Sequence, residues 1–216
     1  DGIHFTKFSS PALSPLPMQI TDIFRVPAGL MCLWFAGDYR DDRKNAWGTL
    51  VSTDDGRTWK QRTLECGIPK AVWPTEPSVV VLPEGRLLAI ARTEVHGAAA
   101  GQLQLTSTDH GETWQKTPTN IHDVMSSTPS LIYDASTGLI SNYYYERGKG
   151  LLKCRAACAR EIFKNPLGWS DPVIVTRGSL KPWDSGNANA TSIGKTHYIA
   201  YYSGEDPRTD VFVVSH

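Results

Sequence analysis

Glu76 and Arg92 bracket the stretch EPSVVVLPEGRLLAIAR, with Glu84 eight residues from each. An apolar run, a Pro-Glu-Gly turn and a second apolar run read as a β-hairpin. In a regular hairpin its two ends pair across adjacent strands about 5 Å apart, so a carboxylate and a guanidinium meet at one end of a sheet. Such a pair either ties the sheet end as an ion pair or sets a base beside a cation that grips a planar oxyanion. Further candidates lie in other hairpins. ISNYYYERGKG places Arg147 at the equivalent exit of a later hairpin, and THYIAYYSGED carries Tyr201 and Tyr202. GDYRDDRKNAWG is a charged loop holding Asp38, Asp41 and Asp42, and FRVP contributes Arg25.

Two eight-residue strings, STDDGRTW from Ser52 and STDHGETW from Ser107, lie 55 positions apart. Another 55 residues lead to Trp169 in LGWSDPVIV. In register with these markers, four segments each give an apolar run, a Gly or Pro turn and a second apolar run. They begin at ITDIF, EPSVV, TPSLI and NATSI. A third strand follows each (WGTLVST, GQLQLTST, LLKCRAACA, TDVFVVSH), and WKQRTL and DPVIVT supply fourth strands. No helix of normal length with a 3.6-residue stripe competes with this pattern.

Four strands per repeat at this period predict an all-β fold, a β-propeller of four-stranded antiparallel blades. Residues 1–216 read as one propeller domain, with repeats at about 18–60, 75–115, 127–175 and 187–216 and a spare N-terminal strand at 1–8. That strand either closes a four-bladed ring by completing the last blade, or the chain holds four blades of a larger, six-bladed ring. In each S-x-D-x-G-x-T-W string the residue types suit a tight turn. Gly56 and Gly111 accept positive φ, Asp54 and Asp109 accept bonds from turn amides, and Trp59 and Trp114 bury apolar area between blades. Catalysis needs one constellation, whereas a scaffold needs the same joint in every blade, so both aspartates are assigned to turns.

Lysine plus arginine and aspartate plus glutamate number 22 each, a net charge of zero. That balance argues against a nucleic-acid partner, whose phosphates demand a basic surface, but a small anion needs only a few local arginines. No apolar run approaches the roughly 18 residues of a membrane span. The four cysteines lack metal or redox spacing, and read as free thiols or one disulfide. No cofactor or metal is expected. Asn189-Ala190-Thr191 is a glycosylation sequon, and the opening on Asp1 rather than Met suggests a processed or excised product.

The repeated string resembles the Asp-box, or bacterial neuraminidase repeat, of the sialidase (neuraminidase) superfamily. The stretch from Glu76 to Arg92 is similar to the sialidase segment in which a glutamate lies sixteen residues before an arginine. The resemblance implies that Arg92 belongs to a triad gripping the carboxylate of a sialic acid, with Arg147 as another member. It implies Glu76 as the base toward a tyrosine nucleophile, Tyr202 or Tyr201. Arg25 would be the first triad arginine, although it lies only four residues before the turn glycine Gly29. Asp41 or Asp42 would be the acid. The implied partner is a sialylated glycan or other acidic carbohydrate, in an extracellular or cell-surface setting. The alternatives are an endosialidase-like enzyme with a reduced site and a non-catalytic propeller that binds glycan or protein.

Overall fold

The structure, a computed structural model, describes residues 11–95, 101–125, 127–180, 185–205 and 208–216. The chain is almost entirely β, arranged as four antiparallel blades around one axis. Blade 1 is built from β1 (Gln19–Ile20), β2 (Phe24–Val26), β3 (Gly29–Ala36), β4 (Ala46–Ser52) and β5 (Lys60–Cys66), with β1 and β2 both pairing β3 as one interrupted inner strand. Blade 2 holds β6 (Thr75–Val81), β7 (Leu87–Arg92), β8 (Gln102–Ser107) and β9 (Gln115–Pro118). Blade 3 holds β10 (Ser130–Asp134), β11 (Leu139–Glu146), β12 (Leu151–Cys158) and β13 (Val173–Arg177). Blade 4 shows β14 (Gly186–Ile193), β15 (Thr196–Glu205) and β16 (Arg208–Ser215). The strand expected at residues 1–8 lies outside the described residues.

Burial explains the strand sequences. Blades stack face to face, so a middle strand is covered on both sides and needs a continuous apolar run rather than an alternating one. β7, LLAIAR, is buried at every position. The outer strand β5, KQRTLEC, is mostly polar with no buried position, which suits a sheet edge. Leu33, Phe35, Trp47 and Trp73 meet Ala89, Ala91 and Leu105 between blades 1 and 2. Leu88 and Ile90 meet Leu131, Ile140 and Tyr144 between blades 2 and 3. Tyr143, Tyr145 and Leu152 meet Ala188, Ile199 and Tyr201 between blades 3 and 4. Inner-strand residues of all four blades, among them Thr21, Ser78, Ser130 and Asn189, line one cavity along the axis. The sequon asparagine Asn189 is thus on the cavity wall.

The two boxes form the same hydrogen-bonded joint. The Ser52 hydroxyl donates to Asp54 Oδ1 at 2.8 Å, and the Gly56 and Thr58 amides donate to Ser52 Oγ and Asp54 Oδ1, each at 2.8 Å. Ser107, Asp109, Gly111 and Thr113 repeat all three bonds at the same lengths. Gly56 and Gly111 sit at φ +85° and +92°, where a side chain would be strained. Trp114 meets Trp47 edge-on at 6.3 Å, tying the joint to the neighbouring blade. The third repeat has no box turn. The four-residue helix α1 (Ala159–Ile162) follows β12 there, and Trp169 is still buried in the blade 2–3 core.

The four cysteines are free thiols, Cys32 and Cys154 buried, Cys66 and Cys158 exposed. Burial pushes the Cys32 and Cys154 thiols up to about 11. Among the described residues no helix is long and apolar enough to cross a membrane.

Hydrogen bonds from Thr58 and Ser52 hold the Asp54 carboxyl at about 2, and those from Thr113 and Ser107, working against desolvation, do the same for Asp109. Each folded value lies below the ordinary value near 4, so the stabilisation is full above about pH 4 and is lost as pH falls toward about 2. Asp109→Ala is expected to lower the melting temperature by several degrees at pH 6, at roughly 3 °C per kcal/mol for a chain of this size. The gap to the parent should close near pH 2, as thermal unfolding across that range would show.

Candidate active site

The boxes occupy one end of the blades, and the chemistry-bearing residues gather at the other. Leu87 pairs with Ser107, where the second box begins, and Arg92 pairs with Gln102. Five residues of extended strand, about 17 Å, separate the two ends.

Glu76 and Arg92 meet, but not in the register expected of a regular hairpin. Arg92 pairs with Thr75, and the next pair is Ser78 with Ile90, so Glu76 and Pro77 together oppose Ala91. Continued from the turn, the pairing of Ser78 with Ile90 would bring Glu76 opposite Arg92; the extra residue gives that place to Thr75. Within the bulge Glu76 adopts a left-handed backbone (φ +46°), and its side chain still reaches Arg92. Glu76 Oε2 lies 3.2 Å from Arg92 Nη1, with the two side chains 17% and 11% exposed. The N–H does not point at the oxygen. Glu76 Oε2 is buried and accepts no hydrogen bond among the described residues.

Glu94, unmarked in the sequence reading, is the second carboxylate on this arginine. Its Oε1 receives Arg92 Nε at 3.0 Å and Nη2 at 2.9 Å, and the Thr75 hydroxyl donates to the same oxygen at 2.6 Å. Tyr39, from the loop between β3 and β4, stands over Trp73 at 5.7 Å and faces Glu94, Arg92 and Glu76. Burial, with Glu94 adding, raises the Tyr39 hydroxyl above its ordinary value.

Arg147 follows β11 and is buried beside the same cluster, within electrostatic reach of Tyr202, Arg92, Glu76 and Glu94. Its Nε donates to the Ser185 carbonyl at 2.8 Å and its Nη2 to Asn187 Oδ1 at 3.0 Å. Asn187 (φ +48°) lies in a bulge of β14 between Gly186 and Asn189, the counterpart of the bulge that carries Glu76. Gly186 pairs with Tyr202, and a Cβ at Gly186 would stand 3.2 Å from Arg147 Nε, so this glycine lets the guanidinium lie against the strand. Next to Arg147, Glu146 pairs with Lys149 at 2.8 Å and with buried Lys153. Lys153 and Arg155 both reach Asp123, at 2.6 and 3.0 Å, an ionic network that fixes this end of blade 3.

The two tyrosines separate by strand parity. Tyr201 is a core residue, stacked between Tyr145 (5.9 Å) and Phe212 (5.7 Å), and burial raises its hydroxyl. Tyr202 faces the other way, toward Arg147. Three expected members lie apart from the cluster. Arg25 pairs with Leu30 and sits 3.5 Å from Asp55 of the first box, exposed, at the opposite end of the blade. Asp41 is bound by Arg43 at 2.8 and 3.0 Å, and Asp42 accepts from the Asn45 amide at 3.3 Å. The loop that carries them brings Tyr39 to the cluster instead.

The local electrostatics suit a base. Burial lifts the Glu76 carboxyl above the ordinary glutamate value; Arg92 and Arg147 oppose that rise and Glu94 adds to it. A left-handed non-glycine residue costs about 1–3 kcal/mol, and such strain concentrates at functional sites.

The family described as BNR repeat-like domain matches residues 34–181. No curated protein sequence matches the chain. A protein of unknown function from Dyadobacter fermentans DSM 18053 superposes with a TM-score of 0.68 at 19% identity, covering 89% of this chain and 51% of that one. The alpha-L-arabinanase of Penicillium chrysogenum, complexed with arabinobiose, gives 0.65 at 15% identity, covering 95% and 64%. The NanB sialidase of Streptococcus pneumoniae gives 0.62 at 15% identity, covering 89% and 29%. At these identities the similarity is one of fold. The chain spans between 29% and 64% of the lengths of these structures.

Opposite outcomes are expected for the adjacent tyrosines. Tyr201→Ala should cost about 3–5 kcal/mol of stability, as for other buried aromatics. Tyr202→Phe, which removes only a hydroxyl from a half-buried side chain, should leave the unfolding free energy within about 1 kcal/mol of the parent. Denaturant unfolding of both variants checks this.

Proposed function

The chain belongs to the BNR repeat-like domain family, and from that premise we propose that the cleft around Arg92 is the site of a sialidase-like glycosidase acting on a sugar that bears a carboxylate. Fold alone does not assign an activity. The observation that carries the reading is the strained, half-buried Glu76, whose carboxylate has a buried oxygen without a donor and lies among Arg92, Glu94 and Arg147, with Tyr202 facing Arg147. A carboxylate nucleophile would be repelled by a sugar carboxylate at the reacting carbon. A neutral tyrosine made nucleophilic by a neighbouring base avoids that repulsion. Glu76 takes the proton of the Tyr202 hydroxyl, and Tyr202 attacks the anomeric carbon. Arg92 and Arg147 face the sugar carboxylate. We assign the proton of the leaving group to the loop of Asp41 and Asp42, since its Tyr39 already reaches the cluster.

A second reading has its own support in Glu94. Two buried carboxylates flanking one arginine resemble the pair that cleaves neutral glycosides, and an arabinan-cleaving enzyme shares the fold. Under this reading Glu76 and Glu94 are the working groups and the sugar is uncharged.

A fluorogenic sialoside, polysialic acid and a linear arabinan, assayed in parallel, separate these readings from a binding propeller. The expected result is release of free sialic acid, with Glu76→Gln and Tyr202→Phe each losing about 10²-fold or more in kcat/KM. The base acts when ionised and its pKa is raised, so kcat should climb with pH through a value above the ordinary glutamate range. Full activity in Glu76→Gln contradicts the proposal. Shortening of the polymer without exo-cleavage supports the endo-acting form, arabinose release the two-carboxylate reading, and binding without turnover a non-catalytic role.

A further inference from the structure

Glu76 and Glu94 carry two negative charges and Arg92 and Arg147 two positive ones, so the four-charge cluster is neutral. Among the described residues, the phenols of Tyr39 and Tyr202 face it as well. Glu94 is the member that cancels the second arginine. Its side chain is 8% exposed, and its Oε1 receives Arg92 Nε, Arg92 Nη2 and the Thr75 hydroxyl. An acidic sugar docking against Arg92 and Arg147 therefore brings an excess negative charge into a largely buried cluster. Repulsion among three carboxylates raises the affinity of each for a proton. Glu94 Oε1 accepts two hydrogen bonds and the Nη2 ion-pair contact, whereas Glu76 Oε2 has no hydrogen-bond donor, so Glu76 is the carboxylate that yields.

We propose that Glu94 determines the charge selectivity of the cleft: it keeps the cluster neutral, so that an acidic sugar binds only together with a proton, which Glu76 takes up. The proposal rests on the reading of this cleft as a glycan site. Affinity for the acidic sugar is full below the titration of Glu76 and falls as pH rises through it, by about tenfold per pH unit for one linked proton. The same proton must leave before Glu76 acts as a base. KM and kcat for an acidic substrate therefore both rise with pH. A carboxamide at position 94 leaves the cluster at +1 with Glu76 ionised, and the linkage disappears.

The test is calorimetric titration with N-acetylneuraminic acid from pH 5 to 7.5, in buffers of different ionisation enthalpy, on the parent, Glu94→Gln and Glu94→Asp. For the parent, uptake of about one proton per sugar and an affinity falling about tenfold per unit at the upper end are expected. Glu94→Gln should bind about tenfold or more tightly at pH 7 without proton uptake. Glu94→Asp, which keeps the charge, should retain the uptake and serves if the glutamine variant does not fold. Binding by the parent without proton uptake overturns the proposal and leaves the glycan reading standing, as does a folded Glu94→Gln that binds equally or more weakly. Failure of every protein to bind across the range overturns both.

Discussion

The candidate site depends on an interruption of pairing between β6 and β7. Two residues, Glu76 and Pro77, oppose Ala91, so Thr75 takes the place across from Arg92 that continuous pairing would give Glu76, and Glu76 reaches the guanidinium from a left-handed backbone. Without that irregularity Glu76 would pair with Arg92 directly, and Thr75, which now bonds both Arg92 and Glu94, would be drawn one step further to Thr93. The inner strand of blade 4 repeats the device. Its bulge and the left-handed Asn187 present an amide oxygen to Arg147. Bulges at strand ends re-aim side chains, and here two of them aim polar groups from different blades at neighbouring guanidiniums.

The scaffold explains why polar groups gather there and not along the strands. Middle strands are covered on both faces by neighbouring blades, so an ionisable residue within them must find a buried partner, as Lys153 and Arg155 of β12 do in Asp123, and β7 is apolar up to Arg92 at its end. Strand ends offer the other places. One end is taken by the box turns, whose aspartates are consumed by Ser, Thr and backbone donors. The other end collects Glu76, Arg92 and Glu94 from blade 2, Arg147 from blade 3 and Tyr202 from blade 4. Their burial sharpens the electrostatics, because charges with little water around them must answer to one another.

What the sequence disclosed follows from how local each feature is. Box, period and blade order rest on short strings with fixed internal spacing, and the strands fall where the repeats put them. The meeting of Glu76 and Arg92 was legible because one hairpin carries both. Its register was not, since no residue type announces a bulge, although a glutamate before a proline at a strand end was a clue. Glu94 and Tyr39 escaped notice because their roles depend on Arg92 and Trp73 reaching them. Strand parity separates Tyr201 from Tyr202 only once β15 is aligned on Tyr145 and Phe212. Arg25 carries a family-like tripeptide context, yet its short distance to Gly29 keeps it beside Asp55 at the box end.

The central claim is that Tyr202, activated by Glu76, is the nucleophile of this cleft. A sialosyl fluoride carrying a second fluorine on the carbon next to the anomeric centre tests it most directly. That fluorine slows breakdown of any covalent intermediate, and mass spectrometry of peptides from the treated protein locates the label. The account predicts a single sialosyl adduct on Tyr202 that fails to form in Glu76→Gln. An adduct on Glu76 or Glu94, or none in a protein that turns over sialosides, would contradict it.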